Sequence, residues 1–311
     1  MTAPFPELAI DEPKVTTLLV HPRLSDYVEL TKPRIATMAL ITVAVGYLMG
    51  AAPTIDGWVL LSTLLGAGLV AAGGSALNCV IERRADAKMH RTRNRSVPAG
   101  RLSPAEAAAF GASMAFVGLG ILLVAVPNWQ AAAAAFATFF LYVFVYTPMK
   151  RYSAWNTVVG AIPGALPPVI GWCAARGNVT VEGLALFGIL FAWQLPHFYS
   201  IAWMHRADYA RGGMKMLPVV ERRNGVWTGR ATVATCLLLI AASVVPFTVN
   251  AAGWVYLVGA VVLGIWFLTR CMTFAKVRDD STARRVLRGS LVYLVGVMGL
   301  LVVDGVVPKF W

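Results

Sequence analysis

Residues 57–81, GWVLLSTLLGAGLVAAGGSALNCVI, decide the fold class, because no charged side chain interrupts them. About 20 apolar residues in a helix are enough to cross the hydrocarbon of a bilayer. The stretch therefore predicts a transmembrane helix. Similar windows predict an all-α polytopic membrane protein with nine transmembrane helices, near residues 35–54, 57–81, 105–126, 130–147, 155–174, 183–204, 230–250, 253–273 and 288–307.

The composition of the whole chain agrees with this interpretation. Of its 311 residues, 58% are hydrophobic and only 14% are charged, whereas a soluble protein has about 25% charged residues. The mean hydropathy is +0.67. Soluble, disordered and fibrous proteins are therefore excluded. The cysteines form no CxxC pair and indicate neither a disulfide framework nor a metal site; they are Cys79, Cys173, Cys236 and Cys271.

The basic residues indicate the orientation in the membrane. The chain has 27 Lys and Arg against 15 Asp and Glu, a net charge of +12. All of the 27 except Arg176 and Lys309 precede the first span or lie at even-numbered loops. The positive-inside rule then predicts a cytoplasmic N-terminus and an external C-terminus. An aromatic belt is predicted at the outer ends, formed by Trp58, Trp129, Trp172, Trp254 and Trp311.

Residues 1–30 lack the apolar region of a signal peptide, so the first span is expected to direct insertion. We predict a cytoplasmic segment at 1–34 and one nine-helix membrane domain at 35–311. Basic pairs before spans 1 and 5, and carboxylates after spans 2 and 6, suggest parallel four-helix repeats near 30–150 and 150–275.

The first candidate site lies at the inner end of span 2. Asn78, Glu82 and Asp86 are four residues apart, which places them on one helical face. Mg²⁺ takes one or two carboxylates together with substrate phosphates, and arginine binds phosphate in a bidentate manner. With Arg91 and Arg95 following, the stretch predicts a metal–diphosphate site. The alternative is a solvated loop whose acids pair with its arginines.

A second stretch follows span 6 to its inner end. Trp193, His197, Ser200, Met204 and Asp208 have the spacing of one helical stripe. Pro196 is expected to kink this span. An imidazole inside a membrane span is a functional hypothesis by default; the alternative is an interhelical hydrogen bond.

The third stretch combines a phenol with basic side chains at the inner end of span 4. Tyr146, Lys150 and Arg151 are suited to holding a phosphate, as are Lys32 and Arg34 before span 1. The alternative is a tyrosine–lysine anchor at the interface.

At these residues the chain resembles the UbiA superfamily of intramembrane prenyltransferases, from Leu30-Thr-Lys-Pro-Arg34 through span 9. Asn78xxxGlu82xxxAsp86 resembles the first acidic motif, although Glu82 stands where that motif usually has Asp. In the second acidic motif only Asp208 is present. Trp193-Gln194-x-Pro196-His197 resembles the branch that prenylates heme.

The resemblance implies that a farnesyl group passes from farnesyl diphosphate to a vinyl group of heme b, giving heme O for heme A and cytochrome oxidase biogenesis. It implies catalytic roles for Asn78, Glu82, Asp86, Tyr146, Lys150 and Asp208. It implies Mg²⁺ ligation by Asn78, Glu82, Asp86 and Asp208. It implies diphosphate binding by Lys32, Arg34, Arg91, Arg95, Lys150 and Arg151, and heme binding by Trp193 and His197.

The setting implied is the bacterial inner membrane, with the site on the cytoplasmic side. The lipid bilayer is a partner, the downstream heme A synthase is a candidate partner, and no nucleic acid is expected. Three alternatives remain open: a prenyltransferase acting on a quinone or chlorophyll precursor, a transporter, and a non-catalytic heme-handling protein.

Overall fold

The computed structural model describes residues 23–51 and 53–310, and these residues form helices and loops with no strand among them. The helices are α1 Leu24–Thr31, α2 Pro33–Ala51, α3 Gly57–Asp86, α4 Pro104–Val124, α5 Trp129–Phe140, α6 Thr147–Met149, α7 Asn156–Ala165, α8 Pro167–Arg176, α9 Val181–Met204, α10 Arg206–Arg211, α11 Leu217–Val220, α12 Val226–Thr248, α13 Trp254–Val277 and α14 Asp280–Gly305. A π-helical segment at Leu141–Tyr146 joins α5 to α6, and a 3₁₀ turn at Val307–Phe310 follows α14.

Within the described residues, nine helical stretches are long and apolar enough to cross a membrane, as predicted. α5, the π segment and α6 make one stretch, Trp129–Met149, and α7 with α8 makes another, Asn156–Arg176. The helices extend beyond the apolar windows: α3 continues to Asp86 and α14 begins at Asp280. Charged residues continue these helices beyond the apolar windows, because long basic side chains reach water from a helix end.

The break in the helices lies in span 5 and not in span 6. The helix α9 continues through Pro196, and the kink expected at this proline stays a prediction. Span 5 instead divides at Leu166, immediately before Pro167 and Pro168. Neither proline has an N–H to donate, so the helical hydrogen-bond ladder cannot continue there.

Small residues allow neighbouring helices to pack closely. A Cβ atom on Gly46 would lie 2.0 Å from the Pro168 carbonyl oxygen, and one on Gly171 would lie 1.9 Å from the Val43 oxygen. The backbones of α2 and α8 therefore touch, which is how helices associate in lipid. A Cβ atom on Gly164 would lie 1.9 Å from the Gln194 Oε1, so this glycine leaves room for the Gln194 side chain.

The predicted outer aromatic belt is partly present. Trp58, Trp129 and Trp254 are exposed at helix starts, as interfacial anchors are. Trp172 is buried against Gly183 and is not such an anchor. Trp311 and most of the predicted cytoplasmic segment 1–34 lie outside the described residues, and the internal repeat stays a prediction.

Candidate active site

The predicted acidic face of α3 is buried at the end of the bundle where α3 meets the loop 87–103. Asn78 and Asp86 are 1% exposed and Glu82 is 6% exposed. Because α3 remains helical to Asp86, the three side chains share one face, as their spacing predicted. Buried charges require partners, and each of the carboxylates has one.

Lys150 is the partner of Glu82. It follows α6 directly, and its Nζ lies 2.7 Å from Glu82 Oε1 and 4.5 Å from the centre of the Tyr146 ring. Burial alone would lower the pKa of Lys150, but the Glu82 carboxylate outweighs it and raises the pKa well above its usual value. The Lys150 ammonium is therefore charged although it has little contact with solvent.

Asn78 links the first span to the fourth. Lys32 Nζ donates to Asn78 Oδ1 at 2.8 Å, and Asn78 Nδ2 donates to Thr147 Oγ1 at 3.0 Å. Lys32 has φ 48° and ψ 59°. This left-handed conformation costs a non-glycine residue roughly 1 kcal/mol, so surrounding contacts hold Lys32 in place.

Arg95 is the partner of Asp86. Its Nη1 lies 2.9 Å from Asp86 Oδ2, and Thr92 Oγ1 donates to the Asp86 carbonyl oxygen at 3.0 Å. Burial acts to lower the pKa of Arg95, but Asp86 reverses the effect and raises it. The loop 87–103 thus folds back so that its arginine faces the acid that opens the loop.

Asp208 lies in α10 and joins this helix to the loop 87–103. It accepts hydrogen bonds from the side chain of Arg211 and from the backbone N–H of His90, the latter at 3.0 Å. The hydrogen bond from Arg211 lowers the pKa of Asp208. The helical stripe predicted to lead from His197 to Asp208 is wrong in one respect, because α9 ends at Met204 before α10 begins.

The other predicted phosphate ligands lie further out. Arg34 and Arg91 are exposed, and Arg151 reaches only the Ile81 carbonyl oxygen, at 3.5 Å. Of the six cations predicted, Lys32, Arg95 and Lys150 contact the face formed by Asn78, Glu82 and Asp86.

The donor set fits a hard cation, although the acids are not gathered into a cage. Within residues 23–51 and 53–310, no three His, Cys, Asp or Glu side chains form a group that could hold a metal alone. Glu82 Oε1 is buried and receives no well-directed hydrogen bond despite its ion pair. Carboxylates of this kind suit Mg²⁺, which completes its coordination with water and substrate phosphates.

Trp193 and His197 turn towards α14. Trp193 Nε1 donates to the Ser290 carbonyl oxygen at 2.6 Å, and His197 Nδ1 lies 2.8 Å from Ser290 Oγ. The two rings stack with centres 4.8 Å apart. The Ser290 hydroxyl itself donates to the Leu287 carbonyl oxygen. Ser290 was missed because its position, far along the chain, carries no motif.

A cavity of about 420 Å³ lies at the other end of the bundle, beside Arg176 and Asn250. Arg176 ends span 5 and Asn156 begins it. The Asn156 side-chain amide donates to the Lys215 carbonyl oxygen in the loop after α10. The cavity is thus a full span away from Glu82 and is not part of the acidic site.

These features define an all-helical membrane protein that gathers acids and cations at one end of its bundle. The UbiA prenyltransferase family matches residues 39–295, and the chain belongs to that family. It is therefore a membrane-embedded prenyltransferase.

Relatives in this family give a finer comparison. The chain is 46% identical to a protoheme IX farnesyltransferase of Solibacter usitatus, over 90% of this chain and 99% of the relative. It is 46% identical to one of Salinibacter ruber, with the same coverage. Among solved structures, a UbiA homolog from Archaeoglobus fulgidus bound to GPP and Mg²⁺ shares the fold at 16% identity. That match has a TM-score of 0.62 and covers 89% of this chain and 99% of the homolog.

Proposed function

We propose that the chain transfers the farnesyl group of farnesyl diphosphate to a vinyl group of heme b, giving heme O and diphosphate. The observation that carries this proposal is the identity of 46% to protoheme IX farnesyltransferases along nearly their whole length. The buried acids, each with a cation beside it, are what a diphosphate leaving group requires.

Mg²⁺ would be held by Glu82 and Asp86, with Asn78 and Asp208 as further oxygen ligands. When bound, the ion neutralises the charge that collects on the diphosphate. The fold is shared with a homolog that binds GPP and Mg²⁺, which supports this assignment. Asp208 would contribute from α10, and the hydrogen bond that it accepts from the His90 N–H holds α10 against the loop 87–103.

The cations of the site bind the diphosphate and stabilise it as it leaves. Lys150, Arg95 and Lys32 donate to its oxygens, and the exposed arginines supply outer contacts, namely Arg34, Arg91 and Arg151. The Tyr146 ring keeps the Lys150 ammonium at the centre of the site. Preorganised donors of this kind stabilise charge that develops in the transition state.

The reaction balances with water as the third reactant. The bond between C1 of the farnesyl group and the diphosphate oxygen breaks, and the electron pair leaves with the diphosphate. The π electrons of the heme vinyl group form the new carbon–carbon bond to C1. Water adds to the cationic carbon beside the porphyrin and loses a proton, which gives the hydroxyethylfarnesyl group. The apolar bundle keeps water away until that last step.

His197 is proposed as the residue that holds the heme, with Trp193 stacked on it. Because Ser290 gives its hydroxyl proton to Leu287, its Oγ accepts from His197 Nδ1–H. This tautomer leaves the Nε2 lone pair unprotonated, as an axial ligand of iron needs. Ser290 therefore has the role of an outer partner that orients a ligating imidazole.

The setting proposed is the bacterial inner membrane. The charge pattern supports a cytoplasmic N-terminus, an active site on the cytoplasmic side and an external C-terminus. Residues 35–311 form one membrane domain in this proposal, and the downstream heme A synthase is a candidate partner that receives the product.

The test is a product assay in bilayer nanodiscs. The purified chain is given farnesyl diphosphate, heme b and Mg²⁺, and heme O is sought by mass spectrometry. Glu82→Gln and Asp86→Asn should abolish the product and retain heme binding, while His197→Ala should weaken heme binding. Prenylation of 4-hydroxybenzoate in place of heme would establish the quinone-precursor alternative. Heme binding without any product from the unaltered chain would establish the non-catalytic alternative.

A further inference from the structure

A short helix outside the membrane spans is fastened to the loop that carries Arg95. Arg101 Nε donates to Asp26 Oδ1 at 2.7 Å, and Arg101 Nη2 donates to Glu29 Oε2 at 3.1 Å. Both acids belong to α1, whereas Arg101 lies near the end of the loop 87–103. One guanidinium therefore ties α1 to this loop through two carboxylates.

Ser96 adds a second fastening between the same elements. Its backbone N–H donates to Glu29 Oε2 at 3.1 Å, and its hydroxyl donates to the Asp26 carbonyl oxygen at 3.4 Å. We call Asp26, Glu29, Ser96 and Arg101 the clasp. Leu30 of α1 is buried in one apolar cluster with Val97 and Leu102 of the loop, so apolar contacts join the same two elements.

The clasp is charged at neutral pH. The hydrogen bond from Arg101 lowers the pKa of Asp26, so its carboxylate is ionised where the enzyme works. Charge-assisted hydrogen bonds are about twice as strong as neutral ones. The clasp therefore joins α1 to the loop 87–103 through charge-assisted hydrogen bonds that are partly exposed.

Both segments joined by the clasp lead to the diphosphate site: Glu29 is three residues from Lys32, and Ser96 is one residue from Arg95. Lys32 follows the last residue of α1, in the left-handed conformation that directs its Nζ to Asn78. Arg95 immediately precedes Ser96 and contacts Asp86. None of the hydrogen bonds within the clasp involves Asn78, Glu82 or Asp86. Two of the three cations that contact the acidic face of α3 thus lie beside the elements that the clasp joins.

We propose that Arg101 is a positioning residue for the prenyl diphosphate, acting through the clasp to hold Lys32 and Arg95 at the site. The inference rests on the proposed function only in that this site takes a prenyl diphosphate; it does not depend on the acceptor. It predicts that loosening the clasp weakens diphosphate binding and leaves the acceptor site intact.

The test compares Arg101→Ala with the unaltered full chain in nanodiscs, using farnesyl diphosphate and Mg²⁺ without any acceptor. Substitutions that act on a site through other residues change a coupling by roughly 2- to 30-fold in affinity. We expect the Kd for farnesyl diphosphate to rise within this range and the Kd for heme b to stay the same. Arg101→Lys, which keeps one ion pair, should recover part of the loss.

Asp280→Asn is the matched control. Asp280 pairs with Arg206 at 2.7 Å in another exposed ion pair, and no hydrogen bond or ion pair joins either side chain to Asn78, Glu82 or Asp86. It should leave both dissociation constants unchanged. Asp26→Asn should reproduce part of the effect of Arg101→Ala, and the double variant should add little to Arg101→Ala, because Arg101→Ala already removes the contact that Asp26→Asn removes.

Three results would overturn the proposal. The first is an unchanged Kd for farnesyl diphosphate in Arg101→Ala protein. The second is equal weakening of farnesyl diphosphate and heme, which indicates general unfolding. The third is full additivity of the Asp26 and Arg101 substitutions. Failure of the proposed function is distinguishable, because the unaltered chain would then bind farnesyl diphosphate and form no heme O.

Discussion

Lys150→Met examines the buried ion pair at the centre of the site. The side chains of Lys150 and Glu82 are 13% and 8% exposed, and their charged atoms are 2.7 Å apart. Removing one partner leaves the other charge buried and uncompensated, which costs about 3–5 kcal/mol. In a chain of this size 1 kcal/mol corresponds to roughly 2 °C in the unfolding midpoint. We therefore expect the metal-free variant to unfold roughly 6–10 °C lower.

A double variant separates stability from activity. Glu82→Gln combined with Lys150→Met removes both charges, and replacing a whole buried pair with neutral side chains is often close to neutral. We expect the double variant to regain most of the lost stability. Product formation stays abolished in both variants, because neither retains the ammonium that binds the diphosphate.

The measurement is thermal unfolding followed by tryptophan fluorescence, in one detergent and at one scan rate, since the midpoint of an irreversible transition depends on scan rate. Asp280→Asn serves as the control, because the pair that it breaks is exposed and contributes about 0–1 kcal/mol. If the double variant unfolds as early as Lys150→Met, an uncompensated Glu82 charge is not the cause, and the reasoning fails.

Three further predictions concern other parts of the molecule. Ser290→Ala should weaken heme binding roughly 10-fold, as loss of an outer partner does for a ligating imidazole; the Soret band reports it. Because the pKa of Asp208 is lowered in the fold, its contacts persist above about pH 4 and are lost as the pH falls further. A spin label at Arg93→Cys should gain mobility in acid, and Asp208→Asn should remove that step. Gly171→Ala places a Cβ 1.9 Å from a backbone oxygen of α2 and should destabilise the bundle by about 1–3 kcal/mol or more, whereas Gly120→Ala meets open space and should not.

Each of these three predictions would be contradicted by a different result. A Soret band unchanged by Ser290→Ala would separate the serine from heme ligation. An acid-induced gain in mobility that persists in Asp208→Asn protein would assign the transition to another group. Equal unfolding midpoints for the two glycine variants would mean that α2 and α8 separate more easily than their contact indicates.

The positions of the spans could be predicted, because the bilayer requires a fixed length of apolar residues and α3 or α4 meets it plainly. Their ends could not, since the helices continue into charged sequence at Asp86 and Asp280. The location of the break was also beyond the sequence pattern. A helix can run through a single proline, as it does at Pro196, when its neighbours pack around it.

The site was predictable where it depends on one helix and unpredictable where it depends on several. Spacing alone placed Asn78, Glu82 and Asp86 on one face of α3. It could not pair Glu82 with Lys150 or Asp86 with Arg95, because these contacts arise from the packing of α6 and the path of the loop 87–103. The clasp and Ser290 were missed for the same reason: each joins residues that are distant in sequence.

Because the π segment at Leu141–Tyr146 precedes Lys150, the number of residues in span 4 decides which way the Lys150 side chain faces. Each residue of an α-helix turns the chain by about 100°, and a π turn accommodates residues that a regular helix would place on a different face. Deleting one residue inside the π segment would let the helix become regular and keep Lys150 on the face of Glu82. Inserting a residue, or deleting one elsewhere in span 4, would turn Lys150 by about 100° away from Glu82. The one change of length that span 4 should tolerate is therefore a single deletion within Leu141–Tyr146.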